Sequence, residues 1–179
     1  IPPRLFHSYR DDTHGYNTGL RIAQGELVAF LTDYIWLPPT FCEDHWNFYK
    51  QFPGYSMVGY CNRYGFPPVK AEGENMNWSV FQDEFAVEIA EQFFSSEPIY
   101  REHRGAPDDL AADALYELPG NKFYAGLNDS IPMSVLKDLN GWDERYDGGY
   151  GSNDIDLGVR ANILGWKFVL NTLSVTKRI

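Results

Sequence analysis

The run Leu27-Val28-Ala29-Phe30-Leu31 is apolar throughout, with Glu26 before it and Thr32-Asp33 after it. A run this short is a poor helix and a good strand buried on both faces, as in a sheet covered by helices. It also falls far short of the roughly 20 apolar residues that span a bilayer, and no longer apolar run occurs. Helix signals follow. Pro38-Pro39 breaks the chain, and Thr40-Phe41-Cys42-Glu43 has capping-box spacing. In such a box the hydroxyl accepts an orphan backbone N–H and the acid reaches back. The spacing predicts a helix to about Gln51, stopped by Pro53-Gly54.

The alternation continues in both directions. Upstream, a strand is expected around Leu5-Phe6-His7, a polar loop from Arg10 to Gly19 and a short helix over 18–24. Downstream, Tyr55 to Cys61 reads as a strand and Asn62 to Asn77 as a loop. Ser79 and Gln82 form a second box that opens a helix from Val80 to about Phe94. Pro107-Asp108-Asp109 opens a shorter helix to about Tyr116. Lys122 to Leu127 reads as a strand, Pro132 to Leu139 as a helix and Asn140-Gly141 as a turn. Ser152 is expected to cap a helix from Asn153 to Leu164 that Gly165 ends. Trp166 to Asn171 is the last strand. Strands alternating with helices place the chain in the α/β class. Its 179 residues correspond to one domain.

Charge narrows the partners. Fifteen basic against 25 acidic side chains leave a net charge of −10. Nucleic-acid binding calls for a basic surface, so no nucleic-acid partner is expected. Cys42 and Cys61 allow one disulfide but no disulfide framework. His7, His14, His45 and His103 show no zinc spacing, and neither a GxSxG nor a Walker A motif is present. Aromatics reach 16%, which suits either a ring-rich core or an aromatic cleft that stacks on sugars.

Two places could carry chemistry. Asp33 stands at the carboxyl end of the strand 26–31, where open α/β sheets bind ligands. There it either holds Mg²⁺ or Mn²⁺ against phosphate oxygens or simply ends the strand in a turn. Further on, Gly148-Gly149-Tyr150-Gly151 feeds a helix whose first turn holds Asp154 and Asp156. Acids there favour the helix dipole, and Asp154 is also placed to act as a general base.

These two regions together resemble family 2 glycosyltransferases. Asn17-Thr18-Gly19-Leu20-Arg21-Ile22-Ala23-Gln24-Gly25-Glu26, leading through Phe30-Leu31 to Asp33, is similar to the stretch that runs into that family's D-x-D metal motif. Asn140-Gly141-Trp142-Asp143-Glu144, then Gly151-Ser152-Asn153-Asp154-Ile155-Asp156-Leu157 with Arg160, is similar to its G-G-F-D-E and G-x-E-D-x-D-L-x-x-R block, which galactosyltransferase-type C-terminal regions share. The blocks lie about 110 residues apart in the right order. Residues 55–120 match only in outline.

The resemblance implies a GT-A fold, a mixed sheet flanked by helices, over one domain of residues 1–179. It implies transfer of a sugar from a nucleotide-sugar donor, usually a UDP-sugar, to an acceptor hydroxyl of a carbohydrate or other molecule, with inversion. Asp154 matches the catalytic base. Asn17, Asn128, Trp142, Asp143, Asn153 and Asp156 match substrate contacts, and Asp33 the metal ligand for Mn²⁺ or Mg²⁺. Two departures stand out. Asn153 replaces a glutamate, and Thr32 and Tyr34 occupy the two D-x-D positions with Asp33 between them. The resemblance also implies that the family's opening strand–helix–strand–helix unit is missing, leaving a sheet edge to be covered. The alternatives are a catalytically silent sugar- or nucleotide-binding domain and a structural part of a larger assembly. Without a leader or an apolar span, the sequence reads as cytoplasmic, at most peripheral to a membrane, with oligomer formation left open.

Overall fold

A computed structural model describes residues 12–32, 35–64, 98, 100–102, 110–111, 115–123, 126–148 and 151–178. The expected strand at Leu5-Phe6-His7, the helix Val80 to Phe94, most of the loop 62–77 and Asp33 lie outside these residues. The elements are α1 (Asp12–Ile22), β1 (Leu27–Phe30), β2 (Ile35–Trp36), α2 (Phe41–Gln51), β3 (Tyr55–Arg63), β4 (Tyr100–Glu102), β5 (Leu115–Leu118), β6 (Asp129–Pro132), α3 (Met133–Asp138), α4 (Asn153–Ile163) and β7 (Lys167–Arg178).

The seven strands form one mixed sheet. Its spine is the parallel pair β3 and β7, which runs from Tyr55↔Lys167 to Arg63↔Arg178. Short antiparallel strands line both flanks. β6 and β4 run along β3, and β5 and β2 along β7. β1 pairs with β6.

The period-2 alternation of β3 and β7 divides the side chains between two faces. Val58, Tyr60, Phe168 and Leu170 join the main core with Val135 and Leu136 of α3 and Leu157 and Ala161 of α4; Tyr16 and Leu20 of α1 pack against it. Met57 and Val169 face the other way and pack with Phe48 of α2. Helices therefore cover both faces, which is why β3 is buried along nearly its whole length. The rings of the described residues go largely into this interior. Tyr16 stacks on Trp142 at 4.7 Å, and Phe30 meets both rings edge-on.

One polar cluster interrupts the core. The β3–β7 register breaks between Gly59 and Tyr60, where the partner residue jumps from Asn171 to Val175. The carboxamide of Asn128 fills the gap. Its Nδ2 donates to the carbonyls of Tyr60 and Ser174, at 2.8 and 3.0 Å. Its Oδ1 accepts from His45 Nε2 and the Ser174 hydroxyl. A Cβ at Gly59 would overlap this side chain, so the position takes glycine. The other His45 nitrogen, Nδ1, accepts from the Ser130 hydroxyl at 2.8 Å.

Several sequence expectations are corrected. The expected loop from Arg10 is helix from Asp12, because Asp147 caps it from far along the chain. Its carboxylate accepts the N–H groups of Thr13 and His14 and the Thr13 hydroxyl. The expected strand Lys122 to Leu127 is instead a 3₁₀ turn, Gly120–Lys122, followed by a turn at Gly126 with φ +91°. Asp129 accepts the Gly126 N–H, and the strand begins at Asp129. Tyr116 lies in β5, not at a helix end. The Thr40 hydroxyl donates to Asp44 rather than accepting a backbone N–H. Ser152 precedes α4 but makes no side-chain cap. The last strand continues past Asn171 to Arg178. Cys42 is exposed and Cys61 buried, and no disulfide joins them. No helix among the described residues is long and apolar enough to cross a membrane.

Burial holds the His45 pKa below its usual value, against smaller opposing effects from the Asn128 hydrogen bond and the Asp44 charge. A histidine kept neutral by the fold contributes stability that is fully present above about pH 6.5 and is lost as pH falls below it. Unfolding free energy, measured by urea between pH 7.5 and 5.5, is expected to fall more steeply for the wild-type chain than for His45→Gln. Equal slopes would exclude His45 as the cause.

Gly158 of α4 crosses the Gly120 backbone so closely that a Cβ would overlap the Gly120 carbonyl oxygen. Gly158→Ala is expected to cost about 1–3 kcal/mol by overpacking, read as a lower urea midpoint with an unchanged slope.

Candidate functional site

Between α1, α3 and the loop that follows α3 lies a cleft of about 730 Å³. Its size is that of a small-molecule site. Leu20 and Arg21 come from α1 and Lys137 from α3, while Trp142, Asp143 and Arg145 come from the loop and Arg160 from α4.

Asn17 ties the two walls together. It belongs to the first sequence block and Trp142 to the second, 125 residues away. Asn17 Oδ1 accepts the Trp142 N–H at 2.8 Å, and Asn17 Nδ2 donates to the Trp142 carbonyl at 2.9 Å. Nδ2 also donates to Glu144 at 2.9 Å. His14, Asn17 and Arg21 share one face of α1 at spacings of three and four residues. All three meet Glu144, with Arg21 at 3.7 Å. Those bonds, Asn17 foremost and His14 next, hold the Glu144 carboxyl below its ordinary pKa. Gly141 precedes Trp142 with φ +72°, and a Cβ there would overlap Asn17 Oδ1. The Asn-Gly turn thus needs glycine for both its backbone and its packing.

Asp143 is chelated by the Arg145 side chain and also accepts the Arg145 backbone N–H. These bonds lower its pKa to about 2. Both groups reach solvent, so the pair adds little stability. It fixes the direction of the Asp143 carboxylate.

On the far side of the loop stands α4. Gly151 and Ser152 both take left-handed backbone, with φ +71° and +69°. For serine that conformation costs on the order of 1–3 kcal/mol. It turns the chain into α4 so that Asn153 and Asp154 open the helix. Asn153 Oδ1 accepts the Asp154 N–H, and Asp154 Oδ1 accepts the Ile155 N–H at 2.8 Å. Asp156 accepts from Arg160 Nε at 2.7 Å.

The structure thus brings Asn17, Trp142 and Asp143 together around one cleft. Asp156 joins it through Arg160. Asn153 and Asp154 lie at the start of the same helix, about 9 Å of axial rise before Arg160. Asn128 has a different task from the donor-sugar contact expected of it. It is fully buried, and its N–H groups and its oxygen are bonded to the sheet and to His45 of α2. Trp142 is also buried, stacked on Tyr16 rather than open to a ligand. Among the described residues, no three His, Cys, Asp or Glu side chains gather as a cation site.

Sequence reasoning gave no role to Glu144 or Arg160, although both stand inside the quoted block, and it missed Asp147. The α1 face of His14, Asn17 and Arg21 would have pointed to an acidic partner had the helix start been known. A scan against protein-family models finds no match, and a search of curated proteins finds no significant relative.

Asn17→Asp keeps the acceptor for the Trp142 N–H. It turns a second oxygen toward the Trp142 carbonyl and Glu144. The expected loss is about 1–3 kcal/mol of unfolding free energy, from two lost bonds and like-charge repulsion. Unchanged stability in urea would show that the two blocks are not joined through this side chain.

Proposed function

We propose that the chain is a GT-A type glycosyltransferase domain that moves a sugar from a UDP-sugar to an acceptor hydroxyl with inversion. The observation that carries this reading is the two-way bond between Asn17 and the Trp142 peptide. It joins the first of the two sequence blocks on which the resemblance rests to the opening of the second, which supports reading them as parts of one site. Two further observations favour it. The cleft has the volume of a small-molecule site. The backbone strain at Ser152 sits two residues before the candidate base, where functional sites often store strain.

In this reading Asp154 takes the proton from the acceptor hydroxyl as its oxygen attacks the anomeric carbon. The bond from that carbon to the diphosphate oxygen breaks, and UDP leaves with the electron pair. Asn17, Asp143 and Asp156 set the geometry around the donor sugar. A divalent cation, Mn²⁺ or Mg²⁺, would neutralise the leaving diphosphate. The resemblance assigns its ligand to Asp33, which lies outside the described residues.

A second reading, a sugar- or nucleotide-binding domain without transfer, is favoured by Asn153. An amide stands there where the family has an acid, and it is engaged with the Asp154 N–H. Asp154→Asn separates the two. In the transferase reading the variant loses UDP release from UDP-sugars but still melts higher in saturating UDP. Ligand at 100 Kd adds about 2.7 kcal/mol, roughly 5–11 °C for a domain of this size. ADP serves as the control. UDP release undiminished in Asp154→Asn would remove the assigned base. A wild-type chain that binds UDP but never releases it from a UDP-sugar would favour the binding domain.

A further inference from the structure

We infer that Arg160 is a positioning residue that sets Asp154 against the Trp142–Asp143 loop; this rests on the transferase reading above. The peptide unit between Gly141 and Trp142 is planar, so fixing its two ends fixes its orientation. Its N–H is held by Asn17 of α1. Its carbonyl, that of Gly141, is held by Arg160 of α4 through both Nη1 and Nη2, each at 3.1 Å. Nη1 also takes the Leu139 carbonyl at 3.0 Å, at the C-terminal end of α3. Nε completes the fork by donating to Asp156 at 2.7 Å.

One guanidinium therefore joins the first turn of α4 to the end of α3 and to the peptide that carries Trp142. Asp154 lies two residues before Asp156 on the same helix, so the placement of Asp154 relative to the cleft passes through this joint. A helix-surface Asp–Arg pair alone would not require arginine, because lysine forms such pairs as well. The two backbone carbonyls do require it. A lysine ammonium cannot span a carboxylate and two carbonyls in one plane.

The test is steady-state release of UDP from UDP-glucose, UDP-galactose and their N-acetyl forms, with Mn²⁺, by wild type, Arg160→Lys and Asp154→Asn. A misplacement of about 1 Å can cost 10²-fold in rate. Arg160→Lys is expected to lose about that factor in kcat, with KM for the donor nearly unchanged and a UDP-induced melting shift like that of the wild type. A residue that merely supported the fold would lower the melting point without this split. If Arg160→Lys does not fold, Arg160→Gln, which keeps a donor for the Gly141 carbonyl but loses the fork, replaces it with the same split expected. An unchanged kcat in the folded variant, with Asp154→Asn inactive, overturns the positioning role and leaves the transferase reading standing. UDP release that survives in Asp154→Asn, or is absent from wild type, overturns that reading and this inference with it.

Discussion

Two helices of this domain meet at one peptide group, and a third ends at the peptide before it. The unit between Gly141 and Trp142 gives its N–H to Asn17 and its carbonyl to Arg160. The Gly141 N–H closes the end of α3 on Leu136 at 2.8 Å. α1, α3 and α4 are thereby fixed to one another by polar contacts, beyond the apolar packing that places them on the same face of the sheet. Hydrogen bonds to a charged group contribute about 1.5–3 kcal/mol each when sheltered. Arg160 and Asp156 are each roughly three-quarters shielded from solvent. Apolar contact alone would let the helices slide by a fraction of a turn. The directional bonds select one arrangement, and that arrangement defines the cleft.

The sheet solves a related problem. A long parallel pair interrupted by a three-residue bulge leaves backbone groups of β3 and β7 without ladder partners. Asn128 supplies partners to both strands at once, and His45 holds the Asn128 oxygen from the helix on the opposite face. Every member of that network is bonded, so its polarity specifies the register instead of weakening the core. The same completeness explains why Asn128 has nothing left to offer a ligand.

What could be read from the sequence follows the distance over which each element is determined. α2, α3 and α4 were legible because their stops and apolar spacing are local. β3 and the start of β7 were legible as compact apolar runs. The start of α1 was not, because its cap is Asp147, 134 residues away. The segment from Lys122 misled because Phe123 and Leu127 are both buried, and their even spacing imitates a strand. Around the cleft, Asn17, Trp142 and Asp143 were singled out through the resemblance of two motifs. Asn128 was assigned by its place in a motif, and its burial in the β3–β7 gap depends on a bulge that no local pattern announces.

The strained entry to α4 ties these points together. Gly151 and Ser152 hold two consecutive left-handed conformations, and only the first falls on a residue without a Cβ. A free loop would relax by shifting Ser152 and turning the helix start away. Here the helix cannot turn, because Arg160 and Asp156 anchor it to the Gly141 carbonyl and Gly158 is pressed against Gly120. A conformational cost on the order of 1–3 kcal/mol is comparable to one or two sheltered charge-assisted bonds, so the anchor is strong enough to hold the strain. The arrangement that fixes the loop peptide also holds the strained turn from which the helix carrying Asp154 starts.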